Sequence, residues 1–110
     1  MIVLAFAFLS QIPPEPTRAE LCHAHANAFI AEEARATGRV AGPSWFIRDW
    51  WSAQLPETDA PGALTAEQRR DLEASMPARE TADPDAFRAE QSRCVTEAIE
   101  GGAVPGMGPA

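Results

Sequence analysis

A chain of 110 residues has room for one domain and one modest hydrophobic core. Sixteen acidic against nine basic residues give a formal charge of −7, and every basic residue is an arginine. That balance lacks the clustered cations that phosphate contacts need, so it argues against nucleic acid and against an anionic membrane surface. Acidity of this degree suits a soluble surface or a basic partner.

Residues 1–9 (MIVLAFAFL) form an unbroken apolar run, followed by prolines at 13, 14 and 16. The run is far short of the about 20 residues that cross a bilayer. It has the character of the apolar stretch of a secretory signal, with Ala5, Phe6 and Ala7 as a small-x-small cleavage site, although no positively charged segment precedes it. Packing of this segment onto the domain is the competing reading. Export gives a periplasmic or secreted protein with no stable membrane span once the leader is removed. Residues 1–16 are thus assigned as leader and proline-stiffened spacer.

Thr17 and Glu20 have capping-box spacing and open a first helix expected over residues 17–37, with Gly38 as its stop. Leu21, Cys22, His25, Ala28, Phe29 and Ala36 share one face of it, and Glu32 falls on that face too. The aromatic helix comes next. Residues 42–56 hold all three tryptophans, and with Phe46 four of the six aromatics that follow the leader. Pro43 at the first helical position or Ser44 as N-cap starts it, and Pro56 ends it. Phe46, Ile47, Trp50, Trp51 and Leu55 make its broad apolar face, with Trp45 pointing away.

A turn-rich linker over residues 57–63 leads to a second capping box, Thr65 with Gln68. The short helix it opens has only Leu72 and Met76 as bulky apolar anchors, and Pro77 is expected to stop it. Such a helix is the least firmly held of the set. Asp83 and Pro84 begin the last helix, where Phe87, Gln91, Cys94, Val95, Ala98 and Ile99 align before Gly101 and Gly102. No stretch alternates as a strand would. The fold class is therefore all-α, a small four-helix domain over residues 17–101 with a disordered tail over residues 102–110.

Cys22 lies early in the first helix and Cys94 late in the last, each on its helix's apolar face. If those helices pack antiparallel the sulfurs meet, and two cysteines in an exported chain point to a disulfide. Three other roles compete. A redox-active pair is normally close in sequence. A lipoprotein cysteine needs small residues before it, and Glu20 and Leu21 precede Cys22. A metal set of Cys22, His25 and Cys94 has its first two members one helical turn apart but lacks a fourth ligand.

A proline-rich lead-in, a helix opening near a cysteine, a central aromatic helix and a late helical cysteine resemble small two-cysteine helical proteins secreted by Gram-negative bacteria. The acid-stress periplasmic chaperones are of this kind. The resemblance covers residues 17–100 as a pattern of cysteines and helices, and carries over no functional residue. It implies an all-helical periplasmic protein and nothing catalytic.

His23 and His25 point in nearly opposite directions on a helix and cannot chelate together. Asp83 and Asp85 are accounted for by capping, and the other close carboxylate pairs by solvent. No nucleophile elbow, phosphate loop or zinc-protease motif is present. No catalytic residue, metal or cofactor is therefore expected. Trp45, with Arg48 and Asp49 as polar rim, is the candidate binding surface. The expected function is a non-enzymatic periplasmic interaction protein, either a small chaperone-like factor or an inhibitor- or immunity-type binder, with an envelope protein as partner and the oligomeric state open. An acid-triggered chaperone is one form of it. The alternative is a small metal-binding or thiol-dependent enzyme or accessory protein using Cys22, His25 and Cys94.

Overall fold

A computed structural model describes residues 15–107. The apolar leader expected over residues 1–9 lies outside them. Four helices make up the fold: α1 (Arg18–Thr37), α2 (Gly42–Ala53), α3 (Ala66–Ala82) and α4 (Pro84–Glu100). Among the described residues no strand occurs.

The first and last helices are antiparallel. Arg18 pairs with Glu97 (Nε–Oε1 2.8 Å), Cys22 is bonded to Cys94, and His25 meets Glu90 (Nε2–Oε1 2.6 Å). Numbers rise along α1 as they fall along α4. Both cysteines are buried, and their Cα atoms lie 5.3 Å apart, within the usual span of a disulfide.

α2 and α3 then pack on different sides of α1 and do not approach each other. On one side Cys22, Ile47, Trp51, Cys94, Ala98 and Val104 close one core cluster. On the other, Ala24, Leu64, Leu72, Met76 and Phe87 close a second. Because α1 serves both, its buried set is wider than one stripe and takes in Glu20, Ala24, Ala26 and Ile30 beside Cys22 and His25. Ala36, expected on the apolar face, is exposed, and Glu32 turns outward to pair with Arg35.

Both capping boxes form, at Thr17 with Glu20 and at Thr65 with Gln68, and Gly38 ends α1 at a φ of 74°. The start of α2 differs from expectation. Its N-cap residue is Ala41, which has no side chain to offer. Glu33 reaches across from α1 instead, accepting from the Ala41 N–H (2.9 Å) and the Ser44 hydroxyl (2.7 Å). A carboxylate at a helix N-terminus also suits the dipole.

Pro77 does not stop α3, which runs five residues further to Ala82. Proline removes the N–H that would bond the Glu73 carbonyl. Both Glu73 and Pro77 are exposed, so water can take that carbonyl. Met76, at 1% exposure, anchors the turn from the other side. Asp83 then joins two helices at one residue: its N–H donates to the Arg79 carbonyl (3.2 Å), and its side chain accepts from the Ala86 N–H (3.1 Å).

The segment after α4 also departs from expectation. Residues 102–107, assigned to a disordered tail, turn back so that Val104 is only 6% exposed in the first cluster. Gly101 matters here for space. A Cβ on it would stand 2.4 Å from Cζ2 and 2.9 Å from Cε2 of Trp50. Its φ of −77° is ordinary, so any cost of a side chain is steric. Gly101→Ala is expected to displace the Trp50 ring and destabilise the fold by about 2 kcal/mol, as overpacking does. Thermal melts and tryptophan emission check this; unchanged values would mean the ring swings aside freely.

Candidate functional site

α2 turns Ser44, Ile47 and Trp51 inward. The Trp51 indole N–H donates to the Cys94 carbonyl (3.0 Å), which fixes the rotation of the helix against α4 beside the disulfide. Trp50 lies edge-on to Trp51, with ring centroids 4.8 Å apart, and covers Gly101. With these positions held inward, residues 45 and 46 are left outside.

Trp45 is 41% exposed and Phe46 48% exposed. Trp45 faces outward, as its place on the wheel implies. Phe46 was expected in the core, and that expectation is corrected: the inward stripe is the narrower Ser44, Ile47 and Trp51 set, and Phe46 falls off its edge. The Arg48 guanidinium carbon stands 4.9 Å from the Trp45 ring centroid, a cation–π contact. Its Nη2 also pairs with Asp49 Oδ1 at 2.8 Å. The structure thus brings Trp45, Arg48 and Asp49 together and adds Phe46 to them. A scan against protein-family models and searches of curated proteins and solved structures returned no match. The geometry of the chain itself must carry any functional reading.

His23, half-buried on α1, has Glu73 of α3 and Arg48 and Asp49 of α2 within electrostatic reach. Burial is the largest influence on it and holds the imidazole below its ordinary pKa, so the ring is neutral at pH 7.

His25 has a different setting. It is 1% exposed, and its ring lies 4.7 Å from that of Phe87. Nε2 meets Glu90, while Nδ1 is buried without a partner. A cleft of about 160 Å³ lies beside it, lined by Arg79, Asp83, Ala86, Phe87 and Glu90. His25 thus meets a carboxylate of α4, Glu90, whereas Glu32 of its own helix pairs with Arg35.

The set of Cys22, His25 and Cys94 is not assembled as ligands. The two sulfurs are bonded to each other, so neither is a thiolate. Among the described residues no group of three His, Cys, Asp or Glu side chains is placed to hold a metal ion. No helix among them is long and apolar enough to cross a membrane.

One buried polar group was missed by sequence reasoning. Glu20, 2% exposed, does more than complete its capping box. One oxygen accepts from the Thr17 N–H (2.9 Å). The other accepts from the Leu64 N–H and from Arg69 Nε, both at 2.9 Å. Arg69 in turn donates to the Pro56 carbonyl (2.7 Å). The carboxylate therefore ties the start of α1 to the linker and to the first turn of α3. Burial acts to raise its pKa, but the hydrogen bonds from Thr17, Leu64 and Arg69 outweigh it and hold the carboxyl below its ordinary range. The signal in the sequence was Arg69, an unassigned cation one turn after Thr65.

Proposed function

We propose that this chain is a non-enzymatic interaction protein of the bacterial cell envelope, exported, stapled by Cys22–Cys94, and contacting a protein partner through the outer face of α2. One observation carries the reading: two large aromatic side chains, Trp45 and Phe46, stay outside a fold that buries Ile47 and Trp51 from the same helix. Exposed aromatic anchors with a paired guanidinium and carboxylate beside them have the make-up of interface hot spots. A disulfide at the centre of the core and the apolar run over residues 1–9 support export. Small chaperone-like factors and inhibitor- or immunity-type binders both use such a surface. In the first case the partner varies, and in the second it is a single protein.

Capture from envelope extract on the immobilised, oxidised chain tests this. A retained protein is expected, and Trp45→Ala should weaken its retention by about tenfold or more, the effect of losing about 1.4 kcal/mol or more at an anchor. Retention unaffected by Trp45→Ala would move the contact surface elsewhere, and no retention at all would count against a binder.

A further inference from the structure

Both cysteines are covered, at 0% and 1% exposure, so no reductant reaches the Cys22–Cys94 bond in the closed fold. The cover is unevenly shared. Ala98 stands one turn from Cys94 on α4 and cannot move off it, and the segment after α4 adds Val104. α2 supplies the bulk: Ile47 and Trp51 close the same cluster, and the Trp51 indole N–H donates to the Cys94 carbonyl at 3.0 Å. The second cluster, of Ala24, Leu64, Leu72, Met76 and Phe87, contains neither sulfur and no residue of α2. Loss of α3 would therefore leave this cover in place, and loss of α2 would remove most of it.

α2 is also placed to move alone. It packs on α1 and α4 and does not approach α3. Residues 38–41 before it and 52–54 at its end are exposed, apart from half-buried Val40. Beyond them the chain is fixed again, because Arg69 donates to the Pro56 carbonyl (2.7 Å) and Glu20 accepts from the Leu64 N–H (2.9 Å). One carboxylate latches the N-terminus of the helix, Glu33 accepting from the Ala41 N–H and the Ser44 hydroxyl. A unit so bounded can open at less cost than the whole fold.

We infer that α2 is a lid on the disulfide, and that its opening, with α3 and the second cluster still folded, admits a thiolate to the bond. One sulfur of a dithiol reductant bonds to a cysteine sulfur as the S–S bond breaks, and the other cysteine leaves as a thiolate. The reductant's second thiolate then displaces the first cysteine. Two electrons and two protons end on Cys22 and Cys94, and the reductant ends as a disulfide. Reduction is thus confined to molecules whose Ile47 and Trp51 are uncovered, which makes α2 the redox gate of the fold.

Timed alkylation and intact mass of the oxidised protein in dithiothreitol test this. Ile47→Ala is expected to speed reduction roughly thirtyfold or more, since it removes buried contacts of the lid. Glu33→Ala, which leaves the core untouched, should speed it roughly fivefold, as the loss of a helix cap does. Leu72→Ala, a comparable loss in the second cluster, should lower the melting temperature yet leave the rate within about twofold. Equal acceleration by Leu72→Ala would mean that the whole fold unfolds first, and overturns the lid. Acceleration by Val104→Ala and by neither change at the lid would assign the cover to residues 102–107 and overturn it too. So would a wild-type rate equal to that of the urea-unfolded chain. Should Ile47→Ala fail to fold, Glu33→Ala against Leu72→Ala still decides between the lid and global opening.

Discussion

Replacing Cys22 and Cys94 together by alanine is expected to cost roughly 4 kcal/mol and to lower the melting temperature by about 15–30 °C. The bond closes a loop across a sequence separation of 72 and joins the two helices against which α2 packs. Chain entropy alone gives that magnitude, because the reduced unfolded chain regains the freedom the bond removes. A domain of this size with a core split into two clusters has little stability to spare. Alanine is preferred to serine in the test, since hydroxyls buried at 0% and 1% exposure would add their own cost. Thermal melts of the oxidised, reduced and double-alanine proteins should place the last two together, well below the first. A difference of only a few degrees would mean that Ile47, Trp51 and Ala98 hold the pair without the bond. Intact mass after alkylation, on protein from the native host, should show both cysteines modified only after reduction and on a chain without its leader. Two free thiols on a full-length chain would undo the proposed export.

The helices were legible because their signals are local. Thr17 with Glu20, Thr65 with Gln68, Asp83 before Pro84, and Gly38 each act within one turn of themselves, and each does in the structure what its spacing implies. The Cys22–Cys94 link was legible too, since each cysteine falls on an apolar face of its helix and antiparallel packing of the first and last helices brings the two together. What escaped depends on long-range neighbours. Nothing near Ala41 says that Glu33 will cap its helix. Pro77 looks like a terminus until Met76 is seen holding the turn from inside. Gly101 looks like a helix stop, yet its lack of a side chain matters because Trp50 lies on it. Val104 was lost among glycines and a proline, although a lone β-branched residue there is an anchor that a free tail would not need. At the candidate site, counting apolar residues on a wheel put Phe46 inside. Only the position of α4 and its carbonyl at Cys94 decides how far α2 is rotated, and so which rings are left out.

Glu20→Gln is expected to cost about 3 kcal/mol at pH 7, near the effect of breaking a buried ion pair from one side. An amide at that position keeps one acceptor oxygen and turns an N–H₂ toward donors, so it cannot serve Thr17, Leu64 and Arg69 at once. Arg69 is still 22% exposed at its side chain, which lets water soften the loss and keeps the figure below that of a wholly buried cation. The same contacts fix how stability depends on pH. Folding holds the Glu20 carboxyl below its unfolded value, so on acidification the unfolded chain takes up the proton first. The contribution is complete above the unfolded value of about 4.3, and it is lost as pH falls below that value and through the lower folded one. Wild type and Glu20→Gln should therefore differ most near neutrality and converge toward pH 3 in denaturant titrations run at stepped pH. Convergence would identify this carboxylate as one of the groups through which acid loosens α3 and the linker from α1. Parallel curves with a constant gap would mean that the substituted amide merely packs less well, and that the acid response of the fold lies in other carboxylates.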